Sequence, residues 1–152
     1  MGMDVNGRRP STANGKYFGN NCSWWHPLAE YCKQIQPEIT ARCTHWHTND
    51  GDGLDEKDSV ALAEALQREI DSDRCEAYAK TVEAAATSER CLICEGTGFS
   101  KPMPEIGAGD TATGLKCWGC GGEGRILSDY FSVENVQEFV TFLRGCGGFS
   151  IW

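Results

Sequence analysis

The chain has 152 residues, 40% of them hydrophobic, with a formal net charge of −8 and a pI near 4.8. That length holds one domain, or one domain carrying a small subdomain. With only 14 Lys and Arg residues, scattered along the chain, it lacks the basic face of a phosphate-backbone binder, so nucleic acid is not expected as a partner. No run approaches the ~18 apolar residues of a membrane helix, and no membrane partner is expected either.

Residues 1–21 are polar and glycine-rich; residues 3–5 read as a short edge strand and the rest as loop. Trp24-Trp25-His26-Pro27 opens a helix, with the proline in a first turn where its missing N–H is not needed. Leu28, Tyr31, Cys32 and Ile35 fall on one face of that helix. Pro37 ends it and starts a short second helix through residue 42. The stretch CTHWHTNDGDGLD follows, and then a helix over 55–70 with Leu62, Leu66 and Ile70 on one face. A second helical segment spans 74–87, with Tyr78, Val82 and Ala85/Ala86 on one side and Asp71-Ser72-Asp73 as the joint.

Residues 91–124 contain CLICEGTG and CWGCGGEG, two copies of C-x-x-C-x-G-x-G with 22 residues between the inner cysteines. Cys91 and Cys94 on one tight turn, and Cys117 and Cys120 on another, present four sulfurs to one point. Zinc takes four thiolates in a tetrahedron with Zn–S near ~2.3 Å, which leaves no open position, so the expected role of this zinc is structural. Glycine after each metal-binding turn supplies φ > 0 without Cβ strain and frees N–H groups to face the anionic sulfurs. The competing readings are a disulfide pair or four unrelated buried cysteines. Between the knuckles, KPMPEIGAGDTATG reads as a surface loop.

Residues 125–131 read as a strand leaving the second knuckle. Ser132 caps a last helix whose buried stripe is Val133, Val136, Phe139/Val140 and Leu143, stopped at Gly145 or at Gly147-Gly148. Phe149-Ser150-Ile151-Trp152 alternates and closes a small sheet. The expected class is α+β: residues 1–152 form a single small helical domain with short strands, and 91–124 an inserted zinc-knuckle subdomain.

Cys43, His45 and His47 alternate, so on a strand they share one face, with Asp50, Asp52 and Asp55 close behind. These letters spell either a second, hydrolytic metal site or a turn leading into a helix. Trp24, Trp25 and Trp46, with His26 at their rim, read either as a core cluster or as an aromatic ligand pocket. Such a small-ligand or hydrolase site would be centred on Trp24, Trp25, His26, His45, His47, Asp50 and Asp52. No Gly-rich phosphate loop, G-x-S-x-G elbow or H-E-x-x-H motif occurs, so no catalytic residue is assigned. The N-terminal MGMDVNGRRP lacks the apolar core of a signal peptide, and zinc requires reduced thiolates; the expected compartment is the cytoplasm.

The doubled motif resembles the cysteine-rich zinc module of DnaJ-type co-chaperones, over about a quarter of the chain and without a J-domain signature. That resemblance implies one zinc site and, by analogy alone, chaperone-like peptide binding. The chain as a whole resembles a family of uncharacterised small proteins of bacteria and their phages. The residues carrying this likeness are MGMDVNGRRP, YFGNNCSWWHPLAEYC, HTNDGDGLD, the paired knuckles and ENVQEFVTFLRGCGGFSIW. The resemblance implies one integrated fold, and a protein partner such as a host defence component that the chain inhibits or modulates.

Overall fold

The computed structural model describes residues 2–100 and 114–152; the surface loop expected at 101–114 lies almost entirely outside them. Among the described residues, the chain order is β1 (Gly2–Gly7), β2 (Tyr17–Asn21), α1 (Cys22–Ile35), α2 (Pro37–Thr40), α3 (Glu56–Asp71), α4 (Arg74–Ala85), β3 (Ser88–Arg90), β4 (Arg125–Leu127), α5 (Val133–Gly145) and β5 (Phe149–Ile151). The class is α+β. Two compact units divide the chain: residues 1–85 with 129–152, and residues 86–128.

In the larger unit the two ends of the chain share one antiparallel sheet, ordered β2-β1-β5. The first strand is therefore central, not the edge strand its short polar flanks suggest. Met3 and Val5 from β1, Phe18 from β2, and Phe149 and Ile151 from β5 are all buried, as the period-2 alternation of a one-sided sheet requires. The outer side of β5 is occupied by residues 51–54. Gly51 N–H donates to Ile151 O (2.7 Å), Ile151 N–H to Asp52 O (2.8 Å) and Phe149 N–H to Leu54 O (2.9 Å). This approach fixes Gly53, where an added Cβ would stand 1.9 Å from the Phe149 carbonyl oxygen.

The helices close over this sheet. Asn21 caps α1 through Trp24 N–H, Asp55 caps α3 through Asp58 N–H, and Ser132 caps α5 through Asn135 N–H. Pro27 lies in the second turn of α1, deeper than the first-turn position expected from sequence. Its missing N–H leaves the Ser23 carbonyl without its i+4 donor, and Tyr130 N–H supplies a replacement at 2.9 Å. Trp24 stacks on Tyr130 beside this bond (5.2 Å between centroids). Asp73, with φ 59°, turns the chain between α3 and α4.

Phe139 on α5 is the hub of the core, meeting the rings of Phe18, Trp25, Phe142 and Phe149. Leu28, Leu62, Leu66, Val136, Val140 and Leu143 fill the space around it, while Val133 is only half-buried. In α4 the expected apolar face is thin: Cys75 is buried and Tyr78 packs on Tyr31 and Phe131, but Ala85 is exposed. No helix among the described residues is long and apolar enough to cross a membrane.

Gly53→Ala is expected to lower the stability of this unit by about 1–3 kcal/mol, because the strand-like segment must move off β5 to admit a methyl group. Chemical denaturation followed by tryptophan fluorescence checks it; an unchanged midpoint would show that the 51–54 pairing is not needed.

Candidate metal centre

In the smaller unit, β3 and β4 pair antiparallel as Ser88↔Leu127, Glu89↔Ile126 and Arg90↔Arg125, so the strand entering the first knuckle lies beside the strand leaving the second. On the other side, Phe99 bridges Lys116, and Ser100 N–H donates to Leu115 O. Between these two ladders the repeats exchange backbone bonds reciprocally. Cys91 N–H donates to the Gly124 carbonyl (3.0 Å) and Cys117 N–H to the Gly98 carbonyl (2.8 Å). The last glycine of each motif thus holds the first cysteine of the other.

The glycines that this exchange needs have φ of 83° and 78° (Gly96, Gly98) and 100° and 74° (Gly122, Gly124). A Cβ on Gly98 would meet Gly122 O at 2.3 Å, and one on Gly124 would meet Gly96 O at 2.5 Å. The repetition extends to side chains: Arg90 lies against Gly96 and Lys116 against Gly122. The residue before each first cysteine covers the first glycine of its own repeat.

This framework brings the four sulfurs together. Cys91 Sγ is 3.9 Å from Cys117 Sγ, Cys94 Sγ is 3.7 Å from Cys120 Sγ, and all four lie within 4.8 Å of one another. A tetrahedron with metal–sulfur bonds of about 2.3 Å has edges of about 3.8 Å. A disulfide would need about 2.05 Å, and all nine cysteines are free. The cluster could therefore hold a metal ion. Gly98 N–H donates to Cys94 Sγ (3.3 Å) and Gly124 N–H to Cys120 Sγ (3.2 Å), at the same offset in each repeat. Desolvation opposes ionisation of Cys94. The Gly98 N–H, the Cys120 and Cys91 sulfurs and the Gly96 N–H override it and bring its pKa down to about 6. Cys117 goes the other way, to about 11, because burial outweighs the N–H groups that face it. Thiols crowded in this way resist ionising together.

The other candidate residues do not gather at one point. Cys43, His45 and His47 lie in turns, not on a strand: Cys43 is buried, and both histidines are exposed. Burial lifts the Cys43 thiol to about 12. Asp52 faces the backbone, accepting from Thr44 N–H (2.7 Å), His45 N–H (3.0 Å) and Gly53 N–H (2.8 Å). Those bonds hold its carboxyl below the usual range against desolvation. Asp50 accepts from Thr48 and stands 3.5 Å from His45 Nδ1. Trp25 is buried and donates to Trp46 O (2.6 Å), and Trp46 donates to Thr40 O (3.0 Å). These two indoles belong to the core, and Trp24 lies apart on Tyr130.

His26 and His47 do meet, with ring centroids 4.7 Å apart, and His47 Nε2 is 2.7 Å from Glu30 Oε1. Burial first, and then the proximity of His47, push His26 below its ordinary pKa. Glu30 and Lys33 were not singled out by sequence. The signal for Glu30 is its spacing of four from His26 on α1, one helical turn. Among the described residues, no other group of three or more His, Cys, Asp or Glu side chains gathers its ligand atoms as closely as the four cysteines.

Comparison with protein-family models, curated proteins and solved structures returned no match. Metal binding by the four cysteines is supported by the chain's own geometry.

Gly124→Ala is expected to weaken metal retention by about 10–100-fold, the usual cost of losing an outer-shell bond, since its φ of 74° and the Gly96 carbonyl both exclude a methyl group. Competition with a chromophoric chelator measures this. Wild-type retention in the variant would remove the reciprocal glycine exchange as a determinant of the site.

Proposed function

We propose that this protein is a zinc-stabilised binding module that recognises a protein partner through the tips of its two knuckles. The observation that carries this reading is the exposure of Leu92 (87%) and Trp118 (82%), the residues between the paired cysteines. Ile93, beside Leu92, has its Cδ1 2.3 Å from where a Cβ on Gly119 would stand, so the two tips adjoin and form one apolar surface. Large aromatic and aliphatic side chains exposed together are the usual anchors of protein interfaces.

Charge supports the same surface. Of the net −8, only −1 falls in residues 86–128, where Glu89, Glu95, Glu105, Asp110 and Glu123 stand against Arg90, Lys101, Lys116 and Arg125. The tips themselves, Leu92, Ile93 and Trp118, carry no charge and desolvate at lower cost than the acidic remainder. Four thiolates complete a tetrahedron, so the zinc supports structure and leaves no position for a substrate. Reduced thiolates suit the cytoplasm. The partner class implied by the phage-family resemblance is a host protein, and the chain would inhibit or modulate it. Chaperone-like capture of apolar peptides is the second reading, favoured by the same exposed residues.

Metal analysis of the purified protein is expected to give one zinc per chain at the cysteines. Cys94→Ser or Cys120→Ser should release it and disorder residues 86–128, since structural zinc contributes ~10–16 kcal/mol of apparent binding free energy. Unchanged zinc content and amide protection in either variant would refute this. Leu92→Ser/Trp118→Ala should keep its zinc yet lose the proteins that the wild type retains from a host lysate. An identical retained set would place the interface elsewhere. Loss of a defined native partner would support modulation, whereas equal loss of many denatured chains would support peptide capture.

A further inference from the structure

Outside the cysteine cluster, His26 and Glu30 sit one helical turn apart on the exposed side of α1, and His47 reaches them from the turn region that follows α2. His47 Nε2 and Glu30 Oε1 are hydrogen-bonded at 2.7 Å, and would part to about 3.3 Å to become adjacent donors on one tetrahedral ion with bonds of about 2.0–2.1 Å. The rings of His26 and His47 have centroids 4.7 Å apart, and two imidazoles on one tetrahedral ion place theirs about 5 Å apart. A cation already occupies this position. Lys33 Nζ stands 2.7 Å from Glu30 Oε1 and 3.1 Å from His47 Nε2, on a side chain long enough to swing into water.

We propose that His26, Glu30 and His47 form a second, exchangeable site for a divalent transition metal, with Lys33 as its built-in competitor. Glu30 and His47 supply two donors at a common point, and His26 completes the set by rotation about its side-chain torsions. Two imidazoles and one carboxylate suit Zn²⁺, Co²⁺ or Ni²⁺ better than Ca²⁺ or Mg²⁺, which prefer all-oxygen sites. The site shares His47 with the His45, His47, Asp50 and Asp52 grouping read from sequence but departs from it in the rest, because His47 turns toward α1 and Asp52 toward the backbone. It does not depend on the binding-module reading, since it uses no residue of the knuckles.

The test is Co²⁺ titration of the zinc-loaded protein by equilibrium dialysis with visible absorption. One additional Co²⁺ per chain is expected, with weak d–d bands and no thiolate-to-cobalt charge-transfer band; that band would mark exchange at the cysteines. His47→Ala and His26→Ala should each weaken uptake at least tenfold. Lys33→Met should tighten it by about tenfold, because a unit positive charge leaves the metal position. Zinc retained at the cysteines and an unchanged circular dichroism spectrum confirm that each variant is folded. Failure of both the wild type and Lys33→Met to bind Co²⁺ would overturn the proposal. So would uptake that survives His47→Ala or that His45→Ala abolishes. Loss of the cysteine zinc with this uptake intact would count against the binding-module reading alone.

Discussion

Four sulfurs within 4.8 Å of one another are the constraint on which the smaller unit depends. Among the described residues of 86–128, the buried side chains are those of Cys91, Cys94 and Cys117, joined only by the backbones of Gly98 and Gly124. Leu92, Phe99, Leu115, Trp118 and Ile126 are exposed. A segment this short cannot offset its conformational entropy with so small an apolar core. The four sulfurs could hold a cation, and a bound cation would supply the stabilisation that this core does not. Backbone bonds between the two repeats position the sulfurs, but they are too few to supply a fold alone.

The larger unit rests on a different principle. Its core is aromatic, centred on Phe139, and its sheet joins the first and last residues of the chain, so folding requires contacts of very high sequence separation. The 51–54 segment connects the two features, pairing along β5 while Leu54 enters the core. Glycine and aspartate abundance there serves close backbone approach and turn closure. The same letters that spell a second metal site or a turn in sequence are, in three dimensions, the edge of a sheet. Arg42 adds a clamp: both oxygens of the buried Asp58 accept from its guanidinium at 2.6 Å, tying the end of the α2 region to the first turn of α3.

Features governed by local chemistry were legible in the sequence. Ser132 caps α5 because a side-chain oxygen meets an N–H three residues on, a relation contained within one turn; Asp55, read from sequence as the first residue of its helix, caps α3 in the same way. The knuckle glycines were legible for the same reason: φ > 0 and N–H-to-sulfur bonds follow from the motif itself. What escaped depends on distant partners. β2 has no alternating pattern in YFGNN and becomes a strand because β1 lies beside it. Pro27 sits deep in α1 because Tyr130, more than a hundred residues away, satisfies the orphaned Ser23 carbonyl. The alternation of Cys43, His45 and His47 suggested a shared face, but buried Trp46 between the histidines anchors the chain inward and leaves both histidines outside.

The knuckle geometry also separates what the fold dictates from what it leaves free. In a C-x-x-C turn that points both sulfurs inward, the two intervening residues point away from the metal, and any side chain compatible with the turn satisfies the fold. Gly119 is partly constrained, since Ile93 occupies the space above it. Leu92 and Trp118 are not constrained by packing at all. Polar residues at those positions would raise solubility at no cost to the metal site, while burying a leucine or a tryptophan against a partner is worth about 1.5–3 kcal/mol or more each. The exposure of Leu92 and Trp118 is thus set by the knuckle turns and not by core packing.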